Sequence, residues 1–364
     1  MFKNSYKNKK ILVTGHTGFK GSWLSSWLLK LGAEVVGVSM DVPTNPSMFK
    51  ELSLESKIKN VQLDIRNISE VNALIEYEKP DFIFHLAAQA IVSTSYSDPL
   101  STVTSNVVGT TNILESLRTC NQKCTAVIIT SDKAYDNVEQ IWGYKENDAM
   151  GGKDIYSGSK GAAELIIKSY YNSFFKLDDS NVRISIARAG NVIGGGDWAK
   201  DRIVVDAITA WSQGKKVAIR NPNATRPWQH VLEPLSGYLS LGEKLNSNNE
   251  LNGEAFNFGP KAEQNRTVRE LLEISCQYWN LQPNEAIKIT NAIEFHEASL
   301  LKLNCDKALA YLNWNACLDY DQTISFTNKW YCDYYKNKDM SKKTLEQISE
   351  YEKIAFKKKL EWTE

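Results

Sequence analysis

The sequence has no Cys-x-x-Cys pair and only four histidines, too few clustered ligands for a structural zinc site. It has no run of 18 apolar residues, so no segment reads as a membrane span. Neither charge is in excess, since 43 Lys+Arg balance 43 Asp+Glu. That balance argues against a general nucleic-acid coat or a polybasic membrane binder, while leaving room for a local basic pocket. The basic start, MFKNSYKNKK, has no apolar stretch behind it and does not read as a secretory signal. No internal repeat or low-complexity segment is present. The six cysteines, Cys120, Cys124, Cys276, Cys305, Cys317 and Cys332, are scattered, which suits packed, reduced thiols rather than a disulfide framework. These absences leave the expectation of a soluble, cytoplasmic protein with no metal, no nucleic-acid partner and no membrane partner.

What is present is an ordinary globular composition. The chain has 364 residues, 42% apolar and 24% charged, enough to bury a sizeable core without staples. Its first half alternates strand-sized apolar runs with helical patterns. Residues 11–14, 34–38, 61–64, 82–85 and 126–130 read as strands. Residues 19–31, 67–78 and 101–119 read as helices, with Trp23, Trp27 and Leu31 at helical spacing. Strands alternating with helices imply parallel pairing through right-handed crossovers, hence an α/β, doubly wound parallel sheet. Past residue 188 the alternation weakens and Gly and Pro cluster. The expected division is 1–188 as a cofactor domain and 189–364 as mainly a substrate lobe, with some segments returning to the first. Residues 245–253 read as a surface loop, and 336–364 as a solvated Lys/Glu-rich helix.

Three motifs carry chemistry. Gly15-His16-Thr17-Gly18-Phe19-Lys20-Gly21 follows a strand and opens a helix, where glycines let backbone N–H groups approach a pyrophosphate. Asp41, at the end of the second strand and 20 residues past Gly21, suits the two ribose hydroxyls of NAD and would repel the 2′-phosphate of NADP. Tyr156 and Lys160 are four residues apart on a helical stretch and share one face. An ammonium and a cationic nicotinamide near the phenol would lower its pKa and make it a base for a hydroxyl losing hydride. Ser131, Asp132 and Lys133 follow a strand end, where ligands of open α/β sheets sit, and suit acid–base work. Leu86, Ala87, Ala88 and Gln89 end another strand and would line the cofactor. Asn106 would lie on a helix under the site, and Asp64 and Ile65 end the third strand near an adenine.

These residues together resemble the extended branch of the short-chain dehydrogenase/reductase family, over about residues 8–335. Within that branch the match is closest to the dehydratases that act on CDP-glucose, through 15–24, 130–137, 143–152, 188–202 and 226–238. The resemblance implies a Rossmann-type sheet with a smaller C-terminal lobe, tightly held NAD and a nucleotide-sugar substrate. It implies a hydro-lyase in deoxysugar synthesis such as that of O-antigen lipopolysaccharide, and a homodimer or homotetramer. By the same resemblance Gly15, Thr17, Gly18, Phe19, Gly21, Asp41, Asp64, Ile65, Leu86, Ala87, Ala88, Gln89, Asn106, Tyr156 and Lys160 bind the cofactor. Ser131 hydrogen-bonds the sugar 4-hydroxyl, Asp132 is the acid for water loss, and Lys133 is either the base or a cation stabilising the enolate. Asn191, Arg202, Arg220 and Arg226 hold the substrate. The rival activities are a 4,6-dehydratase or epimerase for another nucleotide sugar, and a silent NAD-binding regulator. His296 and Glu297 also look family-like, without an assigned role.

Overall fold

The computed structural model describes residues 1–177, 180–290 and 300–364; His296 and Glu297 lie outside them. Among the described residues, seven strands form one parallel sheet: β1 (Lys10–Thr14), β2 (Glu34–Ser39), β3 (Lys59–Gln62), β4 (Phe82–His85), β5 (Cys124–Ile129), β6 (Val182–Arg188) and β7 (Ala255–Asn257). Their spatial order is β3-β2-β1-β4-β5-β6-β7, so the winding reverses between β1 and β4. The doubly wound α/β expectation from strand–helix alternation therefore holds.

Period-2 alternation explains how one sheet serves two cores. Ile11 and Val13 of β1, with Phe82 and Phe84 of β4, face a core shared with Trp23, Trp27 and Leu28 of helix Phe19–Lys30 and with helix Leu232–Ser247. Leu12, Ile83, Ala126 and Ile128 face the other core, against Ile113, Leu114, Leu117 and Ile167. Both faces are covered, which is why the strands read as near-continuous apolar runs. Residues past 188 also contribute short pairs: Val192–Ile193 with Gln229–His230, Val217–Ile219 with Ile287–Ile289, and Thr225–Pro227 with Asn265–Thr267.

The strand expected at 126–130 is Cys124–Ile129, and the helix expected at 101–119 is interrupted by a π-helical turn at Thr104–Val108; three further segments differ. The third strand is Lys59–Gln62 rather than 61–64, because it ends before Asp64, whose side chain turns back onto Arg66. Residues 245–247 end the helix Leu232–Ser247, and Asn249–Leu251 form a 3-10 turn; Leu245 and Leu251 are buried, so the polar letters there hide two core anchors. The C-terminal helix, Met340–Lys357, is docked rather than merely solvated. Met340, Thr344, Ile348, Tyr351 and Ala355 make a buried stripe at helical spacing. Its Glu352 pairs with Lys30 and accepts a 2.9 Å hydrogen bond from the Trp27 indole.

Candidate active site

The turn after β1 is closed by its glycines. Gly15 has φ +74°, and a Cβ there would stand 2.8 Å from the Ala87 nitrogen. A Cβ on Gly21 would stand 2.2 Å from the Gly15 carbonyl oxygen. Gly18 then opens helix Phe19–Lys30 with no side chain capping it. The first N–H groups of that helix are thus left for an anionic group, which the helix dipole also favours. The loop's remaining polar groups are used internally. Thr17 donates to the Asp41 carbonyl at 2.7 Å. Buried His16 spans Ser39 at 3.0 Å and Asn60 at 2.8 Å, and burial lowers its pKa.

Asp41, Asp64, Ile65 and residues 86–89, expected to meet the cofactor, follow the ends of β2, β3 and β4. The strand β2 ends at Ser39, so Asp41 lies two residues beyond it with an exposed side chain. Asp64 is clasped by Arg66, whose Nε lies 2.9 Å from Oδ2; that contact holds the carboxyl below its usual range. Ile65 is buried against Gly109, where a Cβ would meet its Cδ1 at 2.5 Å. Past β4, the Ala87 amide donates to Thr14 Oγ1 at 3.1 Å. Asn106 accepts from the Gln89 amide at 2.8 Å, donates to the Gln89 carbonyl at 3.1 Å and to Ser159 Oγ at 2.9 Å. It therefore ties the segment 86–89 to the helix that carries Tyr156 and Lys160, and acts as a brace.

The reactive groups meet at the ends of β5 and β6. Ser131 caps the 3-10 turn Asp132–Ala134, accepting from the Lys133 amide at 3.2 Å. Its hydroxyl donates to Asp132 Oδ1 at 3.0 Å and hydrogen-bonds Tyr156. Tyr156 and Lys160 lie on helix Ile155–Tyr170, which Asp154 caps through the Ser157 amide at 2.9 Å. Lys160 Nζ stands 5.9 Å from the Tyr156 ring centroid.

Without a nicotinamide, the side chains do not by themselves produce the expected lowering of the Tyr156 pKa. Burial pushes the Tyr156 phenol up to about 12, with the Ser131 hydrogen bond and Arg202 opposing and Asp132 and Asp154 adding to it. Lys160 is itself desolvated, brought down to about 8. The side chains alone therefore keep this phenol protonated, and a lowered pKa requires positive charge brought in by a ligand.

A cavity of about 420 Å³ runs from this centre along residues past 188. Its lining includes Ser131, Asp132, Lys133 and Tyr156 together with Asn191, Arg202, Arg220 and Arg226. Arg202 pairs with Asp197, and Arg226 donates to the Thr225 carbonyl at 2.9 Å. The lining includes neither Lys160 nor Gly15, Thr17, Gly18, Phe19, Gly21, Asp41, Asp64, Ile65 or residues 86–89. Trp228 also lines the cavity, but it is buried and its indole donates to the Arg266 carbonyl at 3.1 Å. Trp198 packs against Trp330 and Tyr334.

Among the lining residues that sequence reasoning did not single out is a cation, Lys20. Its signal was a lone charge inside an otherwise small and apolar glycine turn. Among the described residues no group of three or more His, Cys, Asp or Glu is placed to hold a metal ion.

A family model described as GDP-mannose 4,6 dehydratase matches residues 12–327. The chain is 42% identical over 352 residues to CDP-glucose 4,6-dehydratase of Salmonella typhimurium, covering 96% of this chain and 98% of that one. Among solved structures, the dTDP-glucose 4,6-dehydratase DesIV of Streptomyces venezuelae, with NAD and TYD bound, superposes with a TM-score of 0.76 at 21% identity. That match covers 89% of this chain and 97% of DesIV. The UDP-glucuronic acid 4-epimerase of Bacillus cereus, in complex with UDP-glucuronic acid and NAD, gives 0.76 at 22% identity over 90% of this chain and all of that one. At those identities the two structures speak for the fold.

Proposed function

The chain belongs to the GDP-mannose 4,6 dehydratase family, and from that premise we propose that it dehydrates CDP-glucose to CDP-4-keto-6-deoxyglucose, with NAD held and recycled in place. The observation that carries this reading is the near end-to-end likeness to a CDP-glucose 4,6-dehydratase, joined to a cavity that gathers Ser131, Asp132, Lys133 and Tyr156.

The residues present fit NAD. The uncapped helix after Gly18, and the close approaches at Gly15 and Gly21, make a cradle that a side chain would fill. The exposed Asp41 suits ribose hydroxyls, Asp64 and Ile65 suit the adenine side, and Leu86, Ala87, Ala88 and Gln89, braced by Asn106, suit the nicotinamide side. The chemistry supplied by bound NAD is hydride acceptance from sugar C4 and hydride return to C6. The protein's share is proton handling. Tyr156 takes the proton of the 4-hydroxyl, with Ser131 bridging the two oxygens. The C4 ketone acidifies the C5 hydrogen, and that proton goes to Lys133. Asp132 gives its proton to O6 as that oxygen leaves as water, and the proton that Tyr156 took passes through Ser131 to Asp132 and restores both groups. Lys133 returns a proton to C5, so the sugar loses one water and the cofactor ends as it began. Arg202, Arg220, Arg226 and Asn191 would hold the nucleotide diphosphate.

The same reading assigns residues 1–188 to the cofactor and 189–364 mainly to the nucleotide, with β7 and helix Leu232–Ser247 returning to the first unit. It also takes the protein as a cytoplasmic homodimer or homotetramer feeding deoxysugar synthesis. Support for pairing comes from exposed Leu100, Val108, Leu165 and Phe174 on neighbouring helices. Support for a reducing compartment comes from six free cysteines. Among the described residues no helix is long and apolar enough to cross a membrane.

The test is mass spectrometry of the purified protein with CDP-, UDP-, GDP- and dTDP-glucose. Loss of one water from CDP-glucose alone is the expected result. Loss from another nucleotide sugar overturns the cytidine assignment, and loss from none overturns dehydration of these four.

A further inference from the structure

Lys20 is the second residue of helix Phe19–Lys30 and points into the cavity that holds Asp132 and Tyr156. Its ammonium makes no hydrogen bond and no ion pair with any described residue. Arg202 and Asp197, which also act on it electrostatically, already satisfy each other. Asp132 and Lys160 are the other charges that act on it, and burial and the two cations bring its pKa down to about 8. The cavity lining carries Lys20, Lys133, Lys200, Arg202, Arg220 and Arg226 against Asp132, Asp197, Asp201 and Asp206. A surplus of positive charge in a desolvated cleft is unfavourable unless an anion shares it.

Position narrows the anion. The Lys20 side chain leaves the backbone where the helix amides present themselves to a phosphate, yet it reaches the residues that line the substrate end. It thus stands at the junction of the two phosphate-bearing ligands in the function proposed above, on which this inference rests. We propose that Lys20 is a phosphate-binding residue of the reaction centre, its ammonium contacting a phosphoryl oxygen of the dinucleotide cofactor or of the nucleotide-sugar diphosphate. That contact would also hold a phosphate-bearing ligand close to Asp132 and Tyr156.

The experiment is equilibrium binding by calorimetry, with NAD alone and with CDP-glucose alone, to wild type, Lys20→Met and Lys20→Arg. Loss of a charge-assisted contact should weaken binding of one ligand roughly ten- to a hundredfold in Lys20→Met. Lys20→Arg should restore most of it. Weakening of NAD alone assigns the contact to the cofactor, and weakening of CDP-glucose alone assigns it to the substrate. The thermal midpoint of unliganded Lys20→Met should not fall, because the ammonium has no partner to lose. Lys20→Met binding both ligands as wild type does would overturn the proposal alone. A wild-type protein that binds neither ligand would overturn the function and this proposal together.

Discussion

Gly190 lies against the carboxylate of Asp132 so closely that a Cβ on it would stand 1.8 Å from Oδ2. Asp132 is 4% exposed, so it has little room to retreat. A side chain at 190 would swing the carboxylate away from Ser131 or push apart the ends of β5 and β6. Gly190→Ala should therefore lower kcat about a hundredfold, the cost of an ångström-scale misplacement. The fold itself should lose only about 1–3 kcal/mol through overpacking. Denaturant titration beside steady-state kinetics checks both numbers, and unchanged turnover would show that Asp132 does not act in the elimination.

Directly behind this centre, Arg188 and Glu164 form an ion pair with both side chains 3% exposed. Arg188 Nε lies 2.9 Å from each carboxylate oxygen, and Thr130 donates to Oε1 at 2.6 Å. Arg188 also reaches the Tyr135 hydroxyl, which donates to Asn257 at 2.8 Å. The network joins β6, β7, the Ser131 turn and the Tyr156 helix. Arg188→Met leaves a buried carboxylate unpaired and should cost about 3–5 kcal/mol. The double variant Arg188→Met/Glu164→Leu should recover much of that loss. Equal instability of single and double variants would show that packing, not the charge, is what the pair supplies.

Much of the fold could be read in advance because its signals are local. Strands such as 11–14 and 82–85 are short apolar runs, the glycine turn is contiguous, and Tyr156 and Lys160 share one helical face by spacing alone. What escaped depends on distant partners. The buried stripe of the C-terminal helix includes Thr344 and Tyr351 among many Lys and Glu, so its apolar signal is diluted. Tyr351 is buried because its hydroxyl donates to Glu233 at 2.9 Å, 118 residues away in sequence. The raised pKa of Tyr156 likewise comes from burial and two carboxylates that the Tyr-x-x-x-Lys spacing does not reveal. Lys20 was in plain view, but nothing in its neighbours says which way its side chain turns.

Lys133 is half-buried, lines the cavity and has no carboxylate partner among the described residues. If it carries the C5 proton, Lys133→Met should slow water loss by at least about a hundredfold. Oxidation at C4, which depends on Tyr156, should persist in that variant. Exchange of the C5 hydrogen with deuterated water should vanish with it. Retained exchange and normal turnover would move the base elsewhere.

Acid should find a weak point at His230, 0% exposed and packed edge-on against Trp23 and Phe326 at 5.8 and 5.4 Å. Burial brings its pKa down to about 3, against about 6.5 in an unfolded chain. A group depressed on folding contributes stability that is present above its unfolded pKa and lost as pH falls through the folded one. Between pH 6.5 and 3 the unfolded chain gains a proton here that the folded chain refuses. Stability should fall by about 1.4 kcal/mol per pH unit from this residue, or about 2 kcal/mol by pH 5. His230→Phe removes that proton and keeps an aromatic ring against Trp23 and Phe326. Urea titrations at pH 7 and pH 5 should therefore show the variant gaining about 2 kcal/mol relative to wild type on acidification. A difference between the two proteins that does not change with pH would mean that the folded imidazole takes its proton as readily as the unfolded one.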